Sequence, residues 1–322
     1  MDLDRMLRKC QKEQWKVGDL DWTRKPRSMP EDDEVAIVQY FTDMAGIERL
    51  AGALFEVQRK NAEDPKLKDI FKTFVVDEVR HSHAAQMLAD FYDVRKLRAY
   101  TMSPSLQQFY PYFVDAVQYL TPSIANAYIT GGELILDIAL LRSINDYVHD
   151  DMSEAAMELI NRDESRHIAM DFYMTEHYAS RDWLAKEKQM VGRRSVARRA
   201  KAYRSFLGVL YHARPFFQDV FFQPMSRVDP DGRRLKEAFK RMQLLGHKDE
   251  VARLNFTRFM TTMQNLFNTP VVGQVFEPIL LRVLGVDKSL AVDLFTKDEL
   301  KRAQAMSFDE LAEDALAAKT IH

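Results

Sequence analysis

Twice in this chain a glutamate stands alone on an apolar helical stripe and is followed by a second stripe carrying Glu-x-x-His: Glu48 then Glu78-x-x-His81, and Glu133 then Glu164-x-x-His167. The spacing is that of helices. Ile37, Phe41, Met44, Glu48, Ala51 and Phe55 recur at steps of four and three, as do Phe71, Phe74, Glu78, His81, Ala85, Leu88 and Tyr92. Ile129, Glu133, Leu136 and Leu140 mark a third helix, and Met157, Ile160, Glu164, His167, Asp171, Met174 and Tyr178 a fourth. Each ionisable residue sits where a core-facing helix should carry Leu or Ile, and buried charge is costly unless it is paired or bound to a metal. Glu133 lies 85 residues after Glu48, and Glu164 and His167 lie 86 after Glu78 and His81. The pattern reads as an internal duplication with pseudo-twofold symmetry.

Four carboxylates and two imidazoles balance two divalent cations, and mixed oxygen and imidazole donors suit iron or manganese. At i and i+3 the carboxylate and the ring share one helix face, so each pair can grip one ion while a carboxylate reaches both. A lone Glu-x-x-His is weak evidence, since 19 Glu and 8 His yield about half of one by chance. Here both copies extend to Asp77-Glu-Val-Arg-His81 and Asp163-Glu-Ser-Arg-His167, at matched offsets, which coincidence does not supply. The single cysteine, Cys10, excludes an internal disulfide, a cysteine zinc site and an iron–sulfur cluster.

At these residues the chain resembles the ferritin-like di-iron carboxylate superfamily, whose four-helix bundles supply one Glu from each of two helices and Glu-x-x-His from the other two. The Asp-Glu-x-Arg-His form is most similar to the oxygen-activating branch, the bacterial multicomponent monooxygenase hydroxylases and acyl-carrier-protein desaturases. The resemblance implies an all-α fold with a dinuclear metal site over residues 33–180. It also implies that Glu48, Glu78, His81, Glu133, Glu164 and His167 hold two irons, or one iron and one manganese. It further implies that Asp77 and Asp163 orient His167 and His81 while Arg80 and Arg166 neutralise those aspartates. Ala85 stands where ribonucleotide reductase small subunits carry their radical tyrosine, and Ile160 stands where arylamine N-oxygenases carry a seventh ligand. The expected activity is O2-dependent oxidation of a small or acyl organic substrate by hydroxylation, N-oxygenation, desaturation or oxidative cleavage. With no Gly-x-Gly-x-x-Gly and no cysteine cluster, electrons are expected from an external reductase or ferredoxin. Two alternatives stand beside this: a ferroxidase or iron-handling protein, and a non-catalytic helical scaffold.

The rest of the chain fits an extended helical protein. Gly and Pro number 22 of 322 residues, too few for a fold of many tight turns. Residues 1–32, with Trp15, Trp22, Pro26 and Pro30, read as an irregular arm pinned by its indoles. Residues 181–322 read as further helices, over roughly 184–224, 233–246, 248–268, 274–284 and 297–317, packing on the bundle. Lys186 to Arg204 holds eight Lys or Arg, either a solvated face or a dock for an acidic partner. Asp137 and Asp171, one turn past ligands, either hydrogen-bond to them, pair with an arginine such as Arg142, or ligate directly. His83 and His177 are expected to be ordinary surface or core histidines, and Glu187 a surface acid. The aromatic run 215–222 is expected to serve the core or a dimer contact, with the lining of a substrate channel as the alternative, and the stripe Phe256, Phe259, Met260, Met263, Phe267 to serve packing; a homodimer is the expected assembly. A net charge of −2 gives no reason to expect nucleic acid. The absence of an apolar run near the length of a membrane span, and of a signal core at the start, leads us to expect a cytoplasmic protein without a membrane span.

Overall fold

The structure, a computed structural model, describes residues 1–320, and these are helical with no strand among them. Four long helices carry the ligand stripes. Helix α1 (Leu3–Lys12) precedes them, followed by α2 (Glu31–Asn61), α3 (Pro65–Tyr92), α4 (Pro104–Tyr119) and α5 (Pro122–Ile135). A π-helical turn over Leu136–Leu140 joins α5 to α6 (Leu141–Val148), and α7 (Asp151–Ala179) follows. Local chemistry sets the ends. Glu31, Asp32, Asp33 and Glu34 face the positive start of α2. Asp64 accepts from Lys66 N ahead of Pro65, Thr121 from Ile124 N ahead of Pro122, and Asp150 from Met152 N.

Helices α2, α3, α7 and α5 close a ring, α2 touching α3 and α5 while α7 touches α3 and α5. Their inward stripes, with Phe41, Phe55, Phe71, Phe74 and Leu88 fully buried, form the core around the glutamates. The helix running from Pro122 to Val148 is long and apolar enough to cross a membrane by length and composition, and 78% of its most apolar window is buried inside the protein. Charged residues interrupt it, so no single apolar run revealed it.

Beyond the ring come α8 (Arg181–Gly192), α9 (Val196–Phe217), a second π-helical turn (Gln218–Phe222) and α10 (Gln223–Met225). Then follow α11 (Arg233–Gly246), α12 (Asn255–Asn268), α13 (Pro270–Leu284), α14 (Lys288–Ala291), α15 (Lys297–Ala305) and α16 (Phe308–Ala317). Helix α9 lies on α4, α11 on α5 and its π-helical turn, and α16 on α7.

Three expectations are corrected. The arm is not wholly irregular, because Leu3, Met6, Leu7 and Cys10 form a helical stripe that α1 lays on α3. The span 184–224 is not one helix: Ser195 caps a new start by accepting from Arg198 N. The span 297–317 divides likewise, because Ser307 and Glu310 form a capping box that starts α16.

Candidate metal centre

All six candidate ligands are buried and converge inside the ring of helices. Ligand atoms of Glu48, Glu78, His81 and Glu164 lie within 4.8 Å of one another, and so do those of Glu78, Glu133, Glu164 and His167. Glu78 and Glu164 belong to both groups. His81 Nδ1 lies 3.0 Å from Glu164 Oε1, and His167 Nδ1 lies 3.1 Å from Glu78 Oε1 and 3.0 Å from Glu164 Oε2. Each ring therefore turns Nδ1 to the carboxylates and Nε2 outward. Gly52 permits α2 to approach this closely, since a Cβ there would stand 3.1 Å from that of Glu78.

The outward nitrogens meet the two aspartates crosswise. His81 Nε2 is 3.1 Å from Asp163 Oδ2, and His167 Nε2 is 3.5 Å from Asp77 Oδ2. Arg80 donates to Asp77 and, at 2.8 Å, to Asp163; Arg166 donates to Asp163 at 2.7 Å and approaches Asp77 at 3.3 Å. Two arginines thus hold two aspartates, each of which holds the ring of the other repeat. The arm completes this layer, and its role was not legible beforehand. Trp15 Nε1 donates to Asp163 Oδ2 at 2.7 Å, Gln14 donates to Asp77, and Glu13 accepts from Arg166. The indole of Trp15 was the visible signal, since a large apolar ring with one donor seeks a buried acceptor.

The electrostatics show a site short of positive charge. Burial raises Glu48 well above the usual carboxylate range, and Glu78, Glu164 and Glu133 raise it further. Burial and the charge of Glu164 do the same to Glu133. Burial also works to raise Glu164, but the two imidazoles overcome it and hold this carboxyl well below its ordinary value. For His81, burial favours the neutral ring, yet Asp163 and Glu164 prevail and push it up to about 9. Both carboxylate oxygens of Glu48 are buried without a hydrogen-bond partner. Orphaned oxygens on a cluster of repelling carboxylates fit divalent cations, which would satisfy the lone pairs and remove the repulsion.

Of the roles open to Asp137 and Asp171, a pair with an arginine is not formed by either among the described residues. Asp137, in the π-helical turn one turn past Glu133, forms a buried ion pair with Lys319 from the far end of the described chain. Lys319 also donates to Asn161 O and Ser165 Oγ. Burial lowers Lys319 to about 7, with the charge of Glu133 opposing. The Asp171 carboxyl has no hydrogen-bond partner, and burial raises it well above its ordinary value. His83 is exposed and His177 packs on Trp183, as expected. Glu187 is not a surface acid: it is buried and accepts from Ser123 N and Oγ, securing the start of α5.

A cavity of about 230 Å³ reaches Glu133, walled almost wholly by apolar side chains from α2, α4, α5, α9, α11, α12 and α13. A second, of about 210 Å³, shares Gly131, Met242, Phe256 and Met260 with it and extends past Thr175 and Tyr178. Phe216, Phe217 and Phe221, for which a channel lining was the alternative, line the first cavity, as do Phe256 and Met260, expected as packing. Their spacing could not distinguish the two roles, because a cavity wall and a core present the same residue types. Compared with protein families, curated proteins and solved structures, the chain matches none.

Proposed function

We propose that this chain is an O2-dependent non-haem di-iron oxidase or oxygenase, built on a ferritin-like four-helix bundle and acting on an apolar organic substrate. One observation carries the reading: two four-residue ligand groups share Glu78 and Glu164, and an apolar cavity ends at Glu133. Glu48, Glu78, His81 and Glu164 would hold one ion, and Glu78, Glu133, Glu164 and His167 the other. Two irons, or iron with manganese, would supply the redox chemistry that reduces O2, with electrons from an external reductase or ferredoxin.

The chain's own groups have separate tasks. Asp163 and Asp77 fix His81 and His167 with Nδ1 toward the carboxylates, as ligating histidines require of an outer partner. The apolar walls beside Glu133 exclude water and hold a hydrocarbon portion against the centre. Lys319 Nζ sets a positive charge beside Asp137, one turn past the Glu133 ligand, with burial pulling its pKa down.

Metal analysis of protein produced with iron should give about two ions per chain, and the reduced protein should consume O2. A stoichiometry near zero, or a single zinc, overturns the reading. Met242→Trp, which fills the cavity, should abolish binding of an apolar fluorescent probe while leaving the iron content intact. Ferrous oxidation of many ions per chain, with no apolar ligand bound, would instead favour an iron-handling protein.

A further inference from the structure

Two helices outside the ring expose apolar side chains in register. On α9, Val196, Tyr203, Leu207 and Tyr211 recur at helical spacing and are 59–84% exposed; on α13, Val271, Val275 and Ile279 recur every four residues at 62–73%. Arg282, three residues past Ile279, places its guanidinium 4.5 Å from the ring centre of Tyr211. The two stripes therefore meet in one surface. The opposite faces of the same helices, through Val209, Leu210, Ala213 and Leu284, wall the apolar cavity.

The α9 side of this surface is cationic, and Glu277, the acid on α13, is paired with Lys288. Residues 188–218 contain eight Lys or Arg and no Asp or Glu. Arg199, Arg204 and Arg214 lie on or beside the apolar stripe of α9, are exposed, and form no ion pair among the described residues, while Arg198 and Lys201 turn toward α4. The occupant must accept both features. A second copy in twofold contact would set the cationic α9 stripe of one face against that of the other, with Glu277 already paired to Lys288, which opposes association. An acidic protein or a nucleic acid would answer the guanidinium groups but leave the valines, leucine and isoleucine against a polar partner. An anionic lipid surface answers both, since apolar side chains enter the acyl boundary while arginines meet headgroup phosphates.

We propose that the α9–α13 face docks the protein flat on an anionic membrane surface, without spanning it. The docked helices bring the outer side of the cavity wall against the bilayer. The metal centre enters none of the readouts that test this.

Flotation of the full chain with phosphatidylcholine vesicles, with and without phosphatidylglycerol, decides the matter. The protein should float only with the anionic vesicles and be released as ionic strength rises. Arg199→Glu with Arg204→Glu should weaken partitioning by about tenfold or more. Val275→Asp with Ile279→Asp should weaken it to a similar degree, circular dichroism remaining unchanged because these side chains are exposed. Failure to float with anionic vesicles, or flotation indifferent to both pairs of substitutions, overturns the proposal. So does a solution dimer that Ile279→Asp dissociates, because the face would then belong to a second copy.

Discussion

At the scale of single residues, Asp163 is the most heavily used side chain outside the ligand set, contacted by His81, Trp15, Arg80 and Arg166. Asp163→Asn keeps all six ligands, yet it should weaken iron binding by roughly 10 to 100-fold, the usual effect of losing the outer partner of a ligating histidine. Iron titration against Glu158→Gln, an exposed change on the same helix, measures this; equal affinities would reduce Asp163 to a structural charge. Glu48 makes the opposite case. Its oxygens have no partner and its neighbours repel it, so Glu48→Gln should stabilise the metal-free protein by on the order of 1 kcal/mol while lowering metal occupancy. Urea unfolding in the presence of a chelator would show it, and a less stable variant would contradict the charge argument. The ligands and their aspartates were legible because each breaks an apolar stripe at a chemically meaningful spacing. Trp15 and Lys319 were not assignable to the site, because their partners lie 148 residues from Trp15 and far upstream of Lys319, and no local pattern encodes such a meeting.

At the scale of elements, the helices that carry ligands followed directly from periodicity, whereas breaks in the later helices turned on single capping residues. Thr296 with Glu299, and Ser307 with Glu310, are capping boxes written in the sequence. The π-helical turns are different. One extra residue in the hydrogen-bond register after Glu133 changes no residue type, so composition and spacing cannot register it. That turn presents Asp137 to Lys319, tying the short helical turn after α16 to the end of α5. Lys319→Met strands a buried carboxylate and should cost about 3 kcal/mol. Adding Asp137→Asn should recover most of that loss in a thermal unfolding cycle, and additive effects of the two changes would mean that the pair is not coupled.

For the molecule as a whole, the buried centre dictates how stability varies with pH. His81 titrates near 9 when folded against about 6.5 when unfolded, so its contribution is complete below about 6.5 and is lost as pH rises through 9. Glu48 and Glu133, also raised, act in the same sense. Lys319, lowered by burial, acts in the opposite sense above neutral pH, so in a Lys319→Met, Asp137→Asn background the metal-free protein should melt at a lower temperature at pH 9 than at pH 6.5. Bound metal keeps the rings neutral and the carboxylates ionised, so the loaded protein should show a flatter profile by calorimetry. The ion pair of Asp137 also bears on the order in which the molecule can be built. All six ligands lie between residues 48 and 167, but Lys319 follows His167 by 152 residues. On a ribosome, which delivers the N-terminal part first, the ligand-bearing helices emerge well before the ammonium group that pairs with Asp137. Until it arrives, the turn at 136–140 holds a carboxyl with no counter-charge, so a segment made long after the ligands is the one that closes over the centre.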